Sequence, residues 1–149
     1  MKNYIRNSVD ELINKYKTRD PFEILRQKDI SVEFNGNLKE LKGFFTVVFE
    51  KKYVVINSNL SYIEQREVAA HELGHCYLHN HIAESESYRE FMLYDMESKP
   101  EYEANLFASY LLVSDEEIKY AASLGYSEAQ TAAFLNINEK LLKIRLSDF

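Results

Sequence analysis

The chain has 149 residues, 46% of them hydrophobic and 28% charged, which matches the size and composition of one compact domain. Lys and Arg total 18 and Asp and Glu total 24, and the resulting net charge of −6 argues against sequence-independent binding to nucleic acid. No apolar run is long enough to cross a bilayer, and the first residues lack the apolar core of a signal peptide. We therefore expect a single domain over residues 1–149 in a cytoplasmic protein, without nucleic-acid or membrane partners.

The first half of the chain predicts helices followed by strands. After a first helix, Asp20-Pro21-Phe22-Glu23 combines a capping residue, a proline and a capping-box glutamate, so a short helix to about Lys28 is expected. Alternating and β-branched apolar runs predict three strands, over residues 30–34, 43–49 and 53–56. The last two strands are expected to form a hairpin around Glu50-Lys51-Lys52.

The second half predicts helices only. Capping sequences begin at Ser61, Ser114 and Ser127, and the first of these opens a helix expected over residues 62–78. A further helix is expected from about Pro100 to Val113. The order of helix, helix, three strands and then helices predicts an α+β fold.

The chain offers little cysteine chemistry. Its single cysteine, Cys76, cannot form an internal disulfide or supply a Cys-x-x-Cys metal site. We expect Cys76 to be buried without a chemical role. A metal site in this chain would therefore use histidine and carboxylate ligands.

The segment His71-Glu72-Leu73-Gly74-His75 is an H-E-x-x-H motif inside the helix predicted over residues 62–78. The spacing i, i+4 places both imidazoles on one face, where they can reach one Zn²⁺, while Glu72 projects toward a metal-bound water. The alternative is an exposed pair of histidines beside a solvated glutamate.

A catalytic zinc needs a third protein ligand, and the candidates are His79, His81, Glu101 and Glu103. His79 continues the face of the two motif histidines, but a rigid helix spaces three successive turns too widely to surround one tetrahedral ion. We expect His79 to support a ligand or to end the helix, where a cation also interacts favourably with the helix dipole.

The helix predicted after Pro100 is a better source of the third ligand. One of its faces carries Glu101, Ala104, Asn105 and Ala108, and the two alanines permit close approach to the motif helix. Glu101 would then point at the metal, and Asn105 could hydrogen-bond a ligand imidazole. Glu103 lies about 200° away around the helix and is expected at an outer position. The alternative for Glu101 is a capping box with Ser98.

These two segments, His71 to His79 and Glu101 to Leu112, resemble the ImmA/IrrE family of zinc metallopeptidases, and the resemblance covers roughly residues 20 to 120. It implies a small zincin-like, gluzincin-like domain with a short three-stranded sheet packed against a metal-binding helix. Beyond the stretch that the resemblance covers, the apolar spacing of the tail predicts a helical extension over about residues 121–149. The resemblance also implies His71, His75 and Glu101 as zinc ligands and Glu72 as the general base. The substrate class it implies is a cognate helix-turn-helix repressor of a phage, a mobile element or a stress response.

Three functions are therefore considered. The leading hypothesis is a zinc endopeptidase in which Glu72 activates a zinc-bound water. A binding protein or antirepressor could keep the zinc fold and act without proteolysis, and a metal-dependent hydrolase could act on a small substrate. Tyr88, Tyr94 and Tyr102 are candidates for stabilising the oxyanion.

Two further regions bear on partners. The stretch from Glu84 to Glu103 holds seven acidic residues against Arg89 and Lys99, which gives a charge of −5. It is either a solvated loop or a segment that attracts a basic substrate.

The tail around Asn136-Ile137-Asn138 loosely resembles a helix-turn-helix. Its charge is nearly balanced, so we expect it to pack against the domain rather than to read DNA.

Overall fold

The computed structural model describes residues 2–79 and 98–148, and within these ranges the chain forms seven helices and one three-stranded sheet. In chain order the elements are α1 (Lys2–Tyr16), α2 (Pro21–Gln27), β1 (Ser31–Asn35), β2 (Gly43–Val48), β3 (Lys51–Asn57), α3 (Tyr62–Leu78), α4 (Lys99–Leu112), α5 (Asp115–Ser123), α6 (Glu128–Leu135) and α7 (Glu139–Ser147). The fold is α+β, with helices before and after the sheet, as predicted. None of the described helices is long and apolar enough to span a bilayer.

The sheet has the strand order β1-β3-β2, with β1 parallel and β2 antiparallel to the central β3. The β2–β3 hairpin turns at Phe49 and Glu50, which both have left-handed backbones with φ of 49° and 69°. Two consecutive left-handed residues give a tight turn whose twist matches that of the strands. The turn therefore comes earlier than the predicted Glu50-Lys51-Lys52, and both lysines belong to β3.

Helix α3 packs against the sheet. Phe45, Val54 and Ile56 are fully buried and belong to the same hydrophobic cluster as Leu73 of α3. Gly43 allows the start of β2 to approach the helix, because a Cβ atom there would lie 2.6 Å from Cγ1 of Val68. The packing of a short three-stranded sheet against the motif helix agrees with what the family resemblance implies.

Helices α3 and α4 form the most extensive helix–helix contact in the described chain. Ala104 and Ala108 are buried, as their expected role in close helix packing requires. Gly74, inside the motif, contributes as well, because a Cβ atom there would lie 3.1–3.2 Å from side-chain atoms of Phe107. The close approach brings the two motif-bearing segments side by side.

The helix starts follow the predicted caps, but two of the four predicted capping boxes do not close. At Ser61 the hydroxyl accepts from the Glu64 N–H and donates to the Glu64 carboxylate, so the reciprocal bond to the Ser61 N–H is not formed. Ser114 and Ser127 each form the reciprocal capping box with the residue three positions later. At α2, the Asp20 side chain accepts a hydrogen bond from the backbone N–H two residues later, but Glu23 pairs with Arg26 instead of closing a box. The predicted capping box at Asp20 is therefore wrong, although the helix begins where expected.

The tail packs against the rest of the molecule. Asn136 ends α6 in the left-handed conformation, with φ of 56°, and Leu141 and Leu142 of α7 enter the core. Arg145 is 1% exposed, forms an ion pair with Asp115, and places its guanidinium 4.2 Å from the ring centroid of Tyr110. These contacts agree with the packing role expected for the tail.

Candidate metal centre

The motif helix presents its functional side chains on the face toward α4. Ser61 caps α3 by accepting a hydrogen bond from the Glu64 N–H at 3.2 Å, and His79 follows its last residue as the C-terminal cap. Within this helix, His71 and His75 lie one turn apart. Their ring centroids are 4.7 Å apart.

Three candidate ligands converge at this face. Nε2 of His71 and Nε2 of His75 are 3.0 Å apart, and the two carboxylate oxygens of Glu101 lie 3.0 Å from the first and 2.8 Å from the second. Atoms about 3 Å apart can all contact one ion at the roughly 2 Å typical of zinc–nitrogen and zinc–oxygen bonds. Among the described residues, these three form the one cluster of side chains that could hold a metal ion.

The hydrogen bonds around this cluster indicate that it is built for a cation. Nδ1 of His71 lies 2.8 Å from Oδ1 of Asn105, and because an amide oxygen only accepts, Nδ1 carries the proton and donates. When His71 is neutral, its Nε2 presents a lone pair toward Nε2 of His75 and the Glu101 carboxylate. Oε1 of Glu101, the oxygen nearest His75, accepts no hydrogen bond of good geometry from a described residue. Converging acceptors fit a bound cation, which would bind to all of them.

Two of the three candidate ligands are held in the protonation states that metal binding needs. The exception is His71: burial alone would lower its pKa, but the Glu101 carboxylate, Glu72 and Asn105 outweigh burial and raise it. Burial lowers the pKa of His75 to about 4, so its imidazole is neutral at pH 7. Burial alone would raise the pKa of Glu101, but imidazole protons of His71 and His75, when they face the carboxylate, outweigh burial and lower that pKa to about 2. A neutral imidazole and an ionised carboxylate are the forms that bind metal ions.

Glu72 lies beside the cluster and differs from Glu101 in its electrostatics. It is 1% exposed, and burial raises its pKa to about 7, although a backbone hydrogen bond from Phe45 opposes the shift. Its Oε2 atom has no hydrogen-bond partner among the described residues. A carboxylate with a pKa near neutrality can both accept and return a proton, as a general base must.

The cluster opens into a cleft of about 670 Å³. His71, Glu72 and Glu101 line it together with residues 40–43 before and at the start of β2, and with Lys140, Leu141 and Ile144 of α7. Both oxygens of Glu67, on α3, accept from the Asn138 N–H at 3.2 Å and so attach the start of α7 to the cleft. The sequence did not reveal this contribution of α7, because no local pattern connects residues 71 positions apart.

The other sequence candidates have mixed outcomes. The predicted hydrogen bond from a ligand imidazole to Asn105 is confirmed. The capping box proposed as an alternative for Glu101 does not form: Ser98 accepts from the Glu101 N–H at 3.4 Å, but the carboxylate contacts the histidines. Cys76 is buried, with 5% exposed, as expected.

The outer position predicted for Glu103 is wrong. Oε1 of Glu103 lies 3.0 Å from Nε2 of His79, and the Glu103 side chain is 15% exposed. Although Glu103 leaves α4 on a different flank from Glu101, that flank meets the end of α3. His79 in turn lies with Nδ1 3.0 Å from Nδ1 of His75.

Several candidates fall outside the described residues. These are His81, Tyr88, Tyr94 and the part of the acidic stretch between Glu84 and Glu97. Tyr102 is described, is 40% exposed and does not line the cleft.

An α+β fold with an H-E-x-x-H helix and a downstream glutamate defines a class of metallopeptidases, and comparison with known proteins agrees. The model of the IrrE N-terminal-like domain family, Peptidase_M78, matches residues 26–147, so the chain belongs to this metallopeptidase family. A similar relative is metallopeptidase ImmA of Bacillus subtilis strain 168, which is 28% identical over 155 residues, covering 96% of this chain and 84% of the relative. Another is uncharacterized immunity region protein 2 of Bacillus phage phi105, 40% identical over 111 residues, or 74% of this chain and 69% of the relative.

Proposed function

We propose that the protein is a zinc-dependent endopeptidase of gluzincin type that cleaves a cognate helix-turn-helix transcriptional repressor. The observation that carries the proposal is the convergence of His71, His75 and Glu101 beside the buried base Glu72 in one cleft. The protein would act in the cytoplasm, where such a repressor binds DNA, and would function as one domain over residues 1–149.

The donor set supports zinc as the metal. Two imidazole nitrogens and one carboxylate form a ligand set used by catalytic zinc, which keeps a further coordination position open. The cleft beside the cluster leaves space for that position. When bound, zinc supplies Lewis acidity, lowering the pKa of a coordinated water toward about 7 and polarising a scissile carbonyl.

Glu72 supplies the proton transfers. Its Oε2 lacks a hydrogen-bond partner among the described residues and so can accept a proton from the attacking water. The pKa of about 7 lets the same carboxyl group return that proton to the leaving amine. The backbone N–H of Phe45 binds the Glu72 carboxylate and helps to fix its position during both transfers.

The substrate assignment is supported by the relatives. One relative is named metallopeptidase ImmA and another is named for a phage immunity region, and the ImmA/IrrE resemblance implies a repressor as the protein cleaved. The cleft is bordered by the segment before β2, by α3 and α4, and by α7, so a substrate segment would contact all of them.

The test uses Glu72→Gln, which removes the base but keeps the size of the side chain. The purified variant and wild type are incubated with repressors encoded beside the gene, with and without a chelator, while zinc content is measured by elemental analysis. We expect zinc content near that of wild type and cleavage lower by about 10²- to 10⁴-fold. Full repressor inactivation by the variant, without cleavage, would instead identify a zinc-containing antirepressor.

A further inference from the structure

Beyond the three candidate ligands, a chain of side chains extends from His75 into the protein. Nδ1 of His75 lies 3.0 Å from Nδ1 of His79, and Nε2 of His79 lies 3.0 Å from Oε1 of Glu103. His75 is fully buried and His79 is 5% exposed, so water has little access to these bonds. The His75–His79 pair is also a ring contact, with centroids 5.2 Å apart.

The chemistry of imidazole determines which atoms donate in this chain. His75 presents Nε2 to Glu101 and His71, so a metal ion there would occupy Nε2 and leave the ring proton on Nδ1. The His75 Nδ1–H must then donate to Nδ1 of His79. Since Nδ1 of His79 accepts, a neutral His79 carries its proton on Nε2 and donates it to the Glu103 carboxylate.

We propose that His79 and Glu103 are positioning residues that hold His75 in the tautomer and orientation needed for metal binding. The inference depends on the proposed function only in that the site holds a metal ion. A carboxylate at the far end of such a chain makes the ligand nitrogen a stronger donor, because each hydrogen bond withdraws the proton from the ring.

The two histidine ligands are supported differently. His71 donates to the neutral amide oxygen of Asn105, whereas His75 is connected through His79 to a charged carboxylate. The Asn105 amide fixes the orientation of the His71 ring. The Glu103 carboxylate fixes the orientation of the His75 ring through His79 and also adds a negative charge. Removal of Glu103 therefore tests charge and orientation together, while Glu103→Gln keeps an oxygen acceptor and removes only the charge.

The experiment measures metal binding by the full-length protein rather than catalysis. Zn²⁺ affinity is determined by competition with a chelator, and Co²⁺ is used as a spectroscopic probe of ligand geometry. We expect Glu103→Ala and His79→Leu each to lower Zn²⁺ affinity by about 10- to 100-fold and to alter the Co²⁺ absorption spectrum. Glu103→Gln should recover part of the lost affinity and the spectrum of wild type.

The matched control is Glu11→Gln. Glu11 also accepts a hydrogen bond from the C-terminal part of α3, at 3.1 Å from the Tyr77 hydroxyl, but it contacts no candidate ligand. This variant should bind Zn²⁺ and Co²⁺ as wild type does. Circular dichroism of every variant separates a local effect on metal binding from loss of the fold. If Glu103→Ala does not fold, the Zn²⁺ affinity of His79→Leu provides the decisive measurement.

The outcomes distinguish this inference from the proposed function. Wild-type Zn²⁺ affinity and an unchanged Co²⁺ spectrum in folded Glu103→Ala or His79→Leu would show that the inference is wrong, whether or not the enzyme cleaves a repressor. A wild-type protein that binds Zn²⁺ but cleaves no repressor would contradict the proposed function alone. A wild-type protein without metal affinity would overturn both.

Discussion

Two polar clusters of this molecule, one buried and one partly buried, are opposite in their charge balance. The metal cluster of His71, His75 and Glu101 brings lone pairs together within 3.0 Å and contains no permanent cation. The carboxy-terminal cluster consists of Arg6, Tyr110, Asp115, Arg145 and Asp148. In it, Asp115 contacts both arginines, and both guanidinium groups lie over the Tyr110 ring.

The difference is the one expected between a candidate metal site and a structural cluster. Buried charges usually occur as matched pairs, because an uncompensated ion in a protein interior is costly. The carboxy-terminal cluster follows that rule and connects α1, α4, α5 and α7. The metal cluster departs from it, and the departure is explained if an ion from solution completes the site. Changes in the two clusters should therefore affect different properties of the protein.

The largest effect is expected from loss of Glu101. Glu101→Ala should lower Zn²⁺ affinity by well over the roughly 10- to 100-fold typical of residues that only support a ligand. Isothermal titration with Zn²⁺ measures the change. Glu64→Ala is the control, because Glu64 also lines the cleft but contacts Ser61 rather than the histidines. Equal affinities of the two variants would mean that Glu101 is not a ligand.

A smaller effect, on stability alone, is expected from loss of Arg145. Arg145→Met removes one of the two cationic partners of Asp115, which keeps Arg6, and should lower the free energy of unfolding by about 1.5 to 3 kcal/mol. Urea denaturation monitors this change, and the folded variant should keep the zinc content of wild type. Lys143→Met, in an exposed pair with Glu139 at 3.9 Å, should cost about 0.5 kcal/mol or less. Zinc loss in folded Arg145→Met would show that the clusters are coupled.

The sequence predicted the convergence of His71, His75 and Glu101 because the signals for it are local. The i, i+4 spacing of His71 and His75 and the shared helical face of Glu101 and Asn105 depend only on helix periodicity. Periodicity describes a face relative to the axis of its own helix. It does not tell which neighbouring element meets that face, so the contact of Glu103 with His79 was missed.

The carboxy-terminal cluster had no comparable signal. Arg6 and Asp115 are 109 positions apart in the chain, and their contact depends on how four helices pack. The same holds for Glu67 and the start of α7, whose contact shapes the cleft. The hairpin turn was misplaced for a different reason: Phe49 and Glu50 are neither Gly nor Asn, the usual residues with left-handed backbones.

The smallest effect concerns the pH dependence of stability and belongs to the carboxy-terminal cluster. Burial alone would raise the pKa of Asp115, but Arg145 and Arg6 outweigh it and hold that pKa below 3.8. A carboxyl group with a lowered pKa stabilises the folded state above its unfolded-state pKa, and this stabilisation is lost as pH falls through the folded-state value.

The stability advantage of wild type over Asp115→Asn should therefore stay constant from about pH 7 to pH 5 and shrink once the pH falls below 3.8. Urea denaturation of both proteins across this pH range measures the difference. Glu116→Gln is the control, because this neighbouring carboxylate is exposed and its replacement should give a small difference at every pH. If the wild-type advantage over Asp115→Asn persisted unchanged to the lowest pH at which both proteins fold, ionisation of Asp115 would not contribute. In that case Asp115 would act only as a neutral hydrogen-bonding group, and the contrast between a charge-matched cluster and a metal-dependent cluster would have to be abandoned.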